Sequence, residues 1–161
     1  MLRRIIIHWT AGTYVPNSCD LKHYHFLVND VGEILKGTYT PKDNICCNDG
    51  VYAAHTKQGN TGSIGIAMCG MYNFKNSKNT GNYPLTKEQC ESCFKKCAEL
   101  CKEYNIMLDN IFTHYEFNKI KNIKTGKIDI IHLPPYPEVG KDQILDFIKS
   151  KISWYKTILL A

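Results

Sequence analysis

The segment Arg4-Ile5-Ile6-Ile7-His8-Trp9 decides the fold, because it places a run of β-branched residues directly before a histidine. A short apolar run of this kind is typical of a buried strand. Thr10-Ala11-Gly12 follows, and this small and polar stretch predicts a turn out of the core. We therefore expect a central strand whose end carries a functional side chain on a rigid scaffold.

Four further segments have the composition expected of strands, namely residues 23–29, 33–37, 63–69 and 111–114. The first two would pair as a hairpin around the turn Asp30-Val31-Gly32. We expect residues 14–20 to form a loop or a very short helix. Residues 40–50 are expected to form a loop, and residues 115–136 to be irregular.

Two helices are predicted in the second half of the chain. Thr86 and Gln89 have the spacing of a capping box, so a helix should follow to about Tyr104. Isoleucines spaced four apart share one face of a second helix, expected over residues 141–155. Strands that alternate with helices indicate an α/β fold, here a mixed central β-sheet flanked by helices. A chain of 161 residues fits a single domain, residues 1–161.

Composition excludes two classes of partner. The net charge is +5, but the lysines are scattered and form no dense basic block, so we expect no nucleic-acid partner. No apolar run approaches the roughly 20 residues that a membrane span needs, so no membrane span is expected.

The first residues lack the apolar core of a signal peptide, and we expect the protein to be cytoplasmic as synthesised.

Eight cysteines are consistent with reduced thiols in that compartment. Four of them are spaced by three, four and four residues, which places them on one helix face: Cys90, Cys93, Cys97 and Cys101. An iron–sulfur cluster usually draws its thiolates from a loop, whereas free cysteine packs as a small apolar residue. We predict that this face is buried against the sheet.

Two of the six histidines stand out because each ends an apolar strand, His8 after residues 4–7 and His114 after residues 111–113. A hydrolytic zinc site uses three protein ligands and keeps one position open for water. Two histidines and a carboxylate would supply such a set. From the residues alone, Asp129, Glu116 and Asp109 all remain candidates for the carboxylate.

The remaining histidines have simpler interpretations. We expect His25 to be packed and hydrogen-bonded in the second strand, beside an exposed His23. His132 is expected to be a surface or loop residue.

Motifs in a fixed order connect these residues to a known family. They are Ile5-Ile6-Ile7-His8-Trp9-Thr10-Ala11, Tyr24-His25-Phe26-Leu27-Val28, Ala54-His55 with Gly59-Asn60 and Ser63-Ile64-Gly65-Ile66, Thr113-His114-Tyr115-Glu116, and Lys127-Ile128-Asp129. Their order resembles that of the type-2 N-acetylmuramoyl-L-alanine amidases, which include phage endolysins and peptidoglycan recognition proteins. The resemblance covers residues 4–150.

The resemblance implies both a fold and a metal centre. The fold would be that of the peptidoglycan recognition proteins and type-2 amidases. A zinc ion, Zn2+, would be held by His8, His114 and Asp129, the third of which is aspartate in some members and cysteine in others. The activity implied is hydrolysis of the amide bond between the lactyl group of N-acetylmuramic acid and L-alanine.

Four more positions receive roles from the same resemblance. Lys127 would stabilise the transition state, and Tyr24 would lie near the metal-bound water. His55 and Asn60 are expected to contact the substrate. All four assignments follow from the family motifs and not from spacing alone.

The general base is where this sequence departs from part of the family. Some members carry a glutamate one residue after the Ser-Ile-Gly-Ile motif, and here that position is Ala67. The base role therefore falls to Tyr24 or to Glu116. For Glu116, orientation of a neighbouring group is the more natural role.

The functional prediction is a zinc amidase that acts on peptidoglycan or a muropeptide as a monomer, in cell-wall lysis or recycling. It would reach the wall through a holin or by another route. The alternative is a recognition module that binds peptidoglycan without cutting it, as in family members that have lost a zinc ligand. A complete ligand set distinguishes the amidase from the module.

Overall fold

A five-stranded mixed sheet forms the centre of the computed structural model, which describes residues 1–160. The strands are β1 (Arg4–Trp9), β2 (Phe26–Val28), β3 (Ile34–Lys36), β4 (Ser63–Met68) and β5 (Ile111–Thr113). Their order across the sheet is β3-β2-β4-β1-β5. β2, β4, β1 and β5 run parallel, and β3 pairs antiparallel with β2 at one edge. The predicted mixed α/β sheet is confirmed.

Four α-helices surround this sheet: α1 (Ser18–His23), α2 (Lys87–Tyr104), α3 (His114–Ile120) and α4 (Ile144–Leu160). α2 begins as predicted, because the Thr86 side chain accepts from the Gln89 backbone N–H in a capping box. α4 starts at Ile144 after a short 3-10 turn (Lys141–Gln143), and it continues beyond the predicted end.

Alternate residues of β1 face the two sides of the sheet, as in any strand. Ile5, Ile7 and Trp9 join the main apolar core, which α2 and α4 cover. The cysteine face of α2 lies in this core, and all four of its thiols are buried. Burial raises the pKa of the Cys90 thiol, which keeps it protonated and unreactive. The prediction that this face is buried is confirmed, and a packing role for its cysteines accounts for their position.

The opposite side of β1 carries Ile6 and His8, and His8 is fully buried although it is polar. α3 and the loop before β4 lie on this side of the sheet. Parallel sheets are usually covered on both faces. Here α3 and the loop before β4 cover the second face incompletely and leave a cleft at the carboxyl end of β1. The fold thus places the buried His8 directly next to residues that line an open groove.

Two local predictions were wrong in their bounds. Residues 23–29 do not form one strand: α1 runs to His23, and β2 begins only at Phe26. Residues 115–136 are not wholly irregular, because α3 starts at His114. The Thr113 side chain accepts from the Glu116 backbone N–H and caps this helix, a signal hidden by the strand-like residues before it.

Across residues 1–160, each helix is either too short or too polar to cross a lipid bilayer.

Candidate active site

Three buried side chains from different elements meet at the carboxyl end of the sheet. His8 comes from β1, and His114 is the first residue of α3, directly after the neighbouring strand β5. Asp129 lies in the loop after α3, where its carbonyl oxygen accepts from the Tyr115 N–H at 2.7 Å. One ligand atom from each side chain lies within 4.8 Å of the other two. The three predicted metal ligands are thus brought together.

The spacing of these atoms suits a small tetrahedral ion. Asp129 Oδ2 lies 2.9 Å from His8 Nδ1, and its other carboxylate oxygen, Oδ1, lies 3.3 Å from His114 Nδ1. Tetrahedral zinc with bonds of about 2.0–2.2 Å holds its ligand atoms roughly 3.3–3.6 Å apart. The two carboxylate–imidazole distances are close to this range, and all three ligand atoms lie within 4.8 Å of one another.

The electrostatics of the cluster also favour a cation. Burial lowers the pKa of His8, against the opposing effect of the neighbouring carboxylate. For Asp129, burial would raise the pKa, but hydrogen bonds from His114 and His8 outweigh it and hold the pKa below its usual value. The site therefore buries an ionised carboxylate beside a neutral imidazole. His114 Nε2 is buried and has no hydrogen-bond partner within residues 1–160.

The second nitrogen of His8 is held by two residues on the far side of the ring. His8 Nε2 lies 3.1 Å from His55 Nδ1 and 3.3 Å from Thr56 Oγ1. The two partner atoms, His55 Nδ1 and Thr56 Oγ1, lie 2.8 Å from each other. A partner at the second nitrogen fixes the tautomer and orientation of a ligating histidine. Thr56 was missed from the sequence, although it directly follows His55 in the motif.

A glycine makes room for the His55 ring. A Cβ on Gly65 would lie 2.5 Å from His55 Cγ, so the ring can rest on β4 only because this position has no side chain. The glycine of the Ser63-Ile64-Gly65-Ile66 motif is therefore explained by its packing against the His55 ring. His55 Nε2 is buried without a partner in the described part of the chain, and the ring lines the cleft.

The cleft has a volume of about 390 Å³ and brings the predicted catalytic groups beside the cluster. Lys127 and Tyr24 both line it, together with the candidate ligands His114 and Asp129, while the fully buried His8 lies behind them. The Tyr24 ring centroid lies 5.1 Å from that of His8. Burial, and after it the negative charge of Asp129, raises the pKa of the Tyr24 phenol. Glu116 is not among the residues that line this cleft.

The strand register places Ala67 beside the cluster. Ala67 on β4 is the direct partner of His8 on β1, so both side chains project from the same face of the sheet. A carboxylate at this position would reach the cleft floor, whereas the alanine methyl group is fully buried. The structure therefore offers no base at this position.

Asn60 lies elsewhere than its predicted role implies. Its side-chain oxygen accepts from the Thr56 N–H at 2.9 Å, which holds the loop that carries His55. Asn60 lines a separate depression and not the cleft. A loop-supporting role accounts for its position, and direct substrate contact by Asn60 stays a prediction.

The other histidines are structural or peripheral. His25 is buried and satisfied on both sides, since its Nδ1 accepts from the Gly65 N–H and its Nε2 donates to Asn44 Oδ1. His23 ends α1 and is partly exposed at the rim of the cleft. His132 lies in a loop, as expected, but it is only 8% exposed because its ring stacks on Phe74.

Solved structures resemble this chain in fold. N-acetylmuramoyl-L-alanine amidase LysC from Clostridium intestinale matches 94% of this chain and 85% of its own, with a TM-score of 0.58 and 18% identity. The Ph2119 endolysin from a Thermus scotoductus bacteriophage matches 92% and 83%, with a TM-score of 0.56 and 15% identity. AmiD from E. coli matches 70% of this chain and 48% of its own, with a TM-score of 0.51 and 19% identity. At these identities the similarity shows the fold, which is that of type-2 amidases and peptidoglycan recognition proteins.

Sequence comparison gives the family. No curated protein sequence matches the chain significantly. The family model described as N-acetylmuramoyl-L-alanine amidase (Amidase_2) matches residues 2–130, which include all three members of the His8, His114 and Asp129 cluster. The chain belongs to the N-acetylmuramoyl-L-alanine amidase family.

Proposed function

We propose that this protein is a zinc-dependent amidase that hydrolyses the lactyl–L-alanine amide bond of peptidoglycan. Family membership supports a peptidoglycan amidase or a peptidoglycan-binding role. The observation that carries the catalytic proposal is the buried cluster of two imidazoles and one carboxylate at the floor of an open cleft. Three ligands at a cleft leave a coordination position free, which is typical of catalytic zinc sites.

His8, His114 and Asp129 would hold the metal ion. Their donor atoms, two nitrogens and one oxygen, match the ligands of hydrolytic zinc sites. Bound zinc supplies Lewis acidity and lowers the pKa of a coordinated water toward about 7. His55 and Thr56 keep the His8 ring in place, which limits the motion of the first ligand.

Lys127 and Tyr24 act on the substrate side of the cleft. The Lys127 ammonium group offsets the negative charge that develops on the carbonyl oxygen when the amide is attacked. The Tyr24 ring lies beside His8 and lines the same cleft, and its hydroxyl would provide a hydrogen bond to the reacting groups. We assign activation of the water to Tyr24 and not to Glu116, because Glu116 does not line the cleft. Since the pKa of the Tyr24 phenol is raised, Tyr24 acts as a hydrogen-bond partner and not as an ionised base.

The substrate class is a muropeptide. AmiD from E. coli, which shares the fold, has been solved in complex with anhydro-N-acetylmuramic acid-L-Ala-D-γ-Glu-L-Lys. A groove of about 390 Å³ that is open to solvent accommodates part of such a ligand, with the scissile bond over the cluster.

We further propose that residues 1–161 act as a single catalytic domain and as a monomer, reaching the wall through a holin or by another route. A module that only binds peptidoglycan remains the alternative. Such a module has no need of a complete ligand set, whereas here all three positions hold competent residues in contact with one another.

Product analysis on purified peptidoglycan tests the proposal. An amidase frees the amino group of L-alanine when it cuts the bond to the lactyl group, and it creates no new reducing sugar ends. A glycosidase would create such ends, so their absence excludes glycosidase action. The matched control is His8→Ala, which removes one ligand. Binding of peptidoglycan by the wild type without release of amino groups would instead support the recognition module.

A further inference from the structure

The only two arginines of the chain are adjacent. Arg3 and Arg4 are the two arginines among 20 basic Lys and Arg residues, and all the other residues of this set are lysines. Arginine presents a planar fork of N–H donors that matches carboxylate and phosphate oxygens in pairs, whereas lysine acts as a point charge. The use of arginine here, in a chain that otherwise uses lysine, points to geometric recognition.

Both arginines line a depression of about 300 Å³ at the start of β1. His8, a predicted metal ligand, lies four residues beyond Arg4 on the same strand, about 13 Å away at the usual rise per residue. The depression is therefore at the opposite end of the sheet from the cleft. Tyr52 and Gln58 also line it and add a hydroxyl and an amide, and no acidic residue of the described chain is among its walls.

The Arg4 guanidinium is held from two directions. Its Nη1 donates to the buried Ser63 Oγ at 2.6 Å, and its Cζ lies 5.1 Å from the centroid of the Phe117 ring. A stacked and hydrogen-bonded guanidinium loses little freedom when it binds a further acceptor. Arg4 is only partly buried, so its remaining N–H groups can reach the depression.

Arg3 is held by the backbone next to it. The Arg3 and Arg4 N–H groups both donate to the Gly62 carbonyl oxygen, at 2.9 and 3.1 Å. Gly62 has a φ of +76°, and a Cβ there would lie 3.2 Å from Arg3 Cζ. Glycine therefore lets the Arg3 side chain lie across the turn before β4.

Neither arginine has a carboxylate partner. Within residues 1–160, the ion pairs of Lys and His with Asp and Glu do not include Arg3 or Arg4. Burial, and after it the positive charge of the neighbouring Arg3, lowers the pKa of Arg4. No acidic residue of those that the structure describes lines the depression to offset the two charges. An anion between them would relieve this repulsion.

We propose that Arg3 and Arg4 form a binding site for a phosphate group. A phosphate can offer a separate pair of oxygens to each guanidinium fork and carries up to two negative charges, whereas a carboxylate has a single pair of oxygens and one charge. The group could belong to free phosphate or to a phosphodiester polymer, and its chemistry is the same in both. The site is independent of amide hydrolysis and goes beyond the proposed function.

An NMR titration tests this site with inorganic phosphate on the 15N-labelled full chain, at constant ionic strength. We expect saturable shifts at the amides of Arg3, Arg4 and Gln58, and binding at least about tenfold tighter than that of acetate. The double substitution Arg3→Gln/Arg4→Gln should abolish saturation. The control Lys75→Gln/Lys78→Gln removes the same charge from an exposed loop and should leave binding unchanged.

A conservative pair separates charge from geometry. Arg3→Lys/Arg4→Lys keeps both charges but lacks the forks, so phosphate binding should weaken by about 3–10-fold. A thermal melt of each variant confirms that it is folded. A glycerol phosphate oligomer that binds more tightly than inorganic phosphate identifies a polymer as the source, and equal affinity identifies free phosphate. Absence of saturation with phosphate, shifts that persist in folded Arg3→Gln/Arg4→Gln, or equal affinity for acetate would overturn the proposal.

Discussion

The two faces of β1 have opposite uses within a single strand. Ile5 and Ile7 point into a sealed apolar core under α2 and α4, while His8 points into a polar cluster that is equally buried. The cysteine face of α2 belongs to the first side, and Asp129 belongs to the second. Burial stabilises the first face directly through apolar contact. On the second face burial of polar groups is costly, and the contacts of Asp129 with His8 and His114 offset part of that cost.

The largest expected effect comes from removing a ligand on the polar face. His8→Ala or His114→Ala should lower kcat by at least about 10³-fold and abolish zinc retention together, because two ligands do not hold the ion tightly. Activity assays and metal analysis of the purified variants check this. Full activity in either variant would mean that the polar face is not the catalytic one.

Smaller losses should follow from the cleft residues that do not bind metal. Lys127→Ala and Tyr24→Phe should each lower kcat by about 10²–10³-fold, the range for loss of one group that acts in the transition state. Zinc content should stay at the wild-type level, and Glu116→Gln should cost less than either. An inactive but zinc-loaded Glu116→Gln enzyme, beside an active Tyr24→Phe enzyme, would reassign the base.

Changes on the apolar face should affect stability alone. Cys93→Ala and Cys97→Ala should each lower the free energy of unfolding by about 1–2 kcal/mol, because each removes one buried sulfur atom. Turnover per folded molecule and zinc content should be unchanged. Denaturant unfolding and kcat measurements check this, and loss of a visible absorption band in these variants would point instead to a metal cluster on α2.

The smallest effect concerns a carboxylate that serves stability and not catalysis. Glu91 on α2 accepts hydrogen bonds from Tyr136, Lys151 and Tyr155. Partial burial would raise its pKa, but these hydrogen bonds outweigh burial and lower the pKa. Glu91→Gln should therefore cost about 1–2 kcal/mol of unfolding free energy near neutral pH.

The pH dependence of that cost has a definite sign. A lowered pKa in the folded state gives stabilisation that is complete above the unfolded value of about 4.3, and that is lost as the pH falls through the folded pKa. The stability difference between wild type and Glu91→Gln should therefore shrink below about pH 4. A difference that stays constant down to pH 2 would show that the hydrogen bonds to Glu91 do not depend on its charge.

The apolar face was the easier one to predict from the sequence. β1 and α2 have the predicted bounds, because a β-branched run and a capping box are local signals. α3 was missed because its cap, Thr113, also ends a strand. In such a case tertiary pairing decides where the strand stops, and a local pattern does not contain that information.

The polar face needed more than local pattern. His8 and His114 stood out as strand-end histidines, but the choice of Asp129 over Glu116 depended on the family motif. The contact of Thr56 with His8 spans 48 residues of sequence, and Asn60 supports a loop although its motif suggested substrate contact. Such roles depend on how loops fold over the sheet, which spacing along the chain does not determine.

Metal content of the wild-type protein, paired with reversible inactivation, tests the central claim most directly. We predict one zinc per chain, loss of amidase activity on chelation, and recovery on adding back one equivalent of zinc. Zinc-free protein that cleaves peptidoglycan at full rate in the presence of a chelator would contradict this account of the His8, His114 and Asp129 cluster.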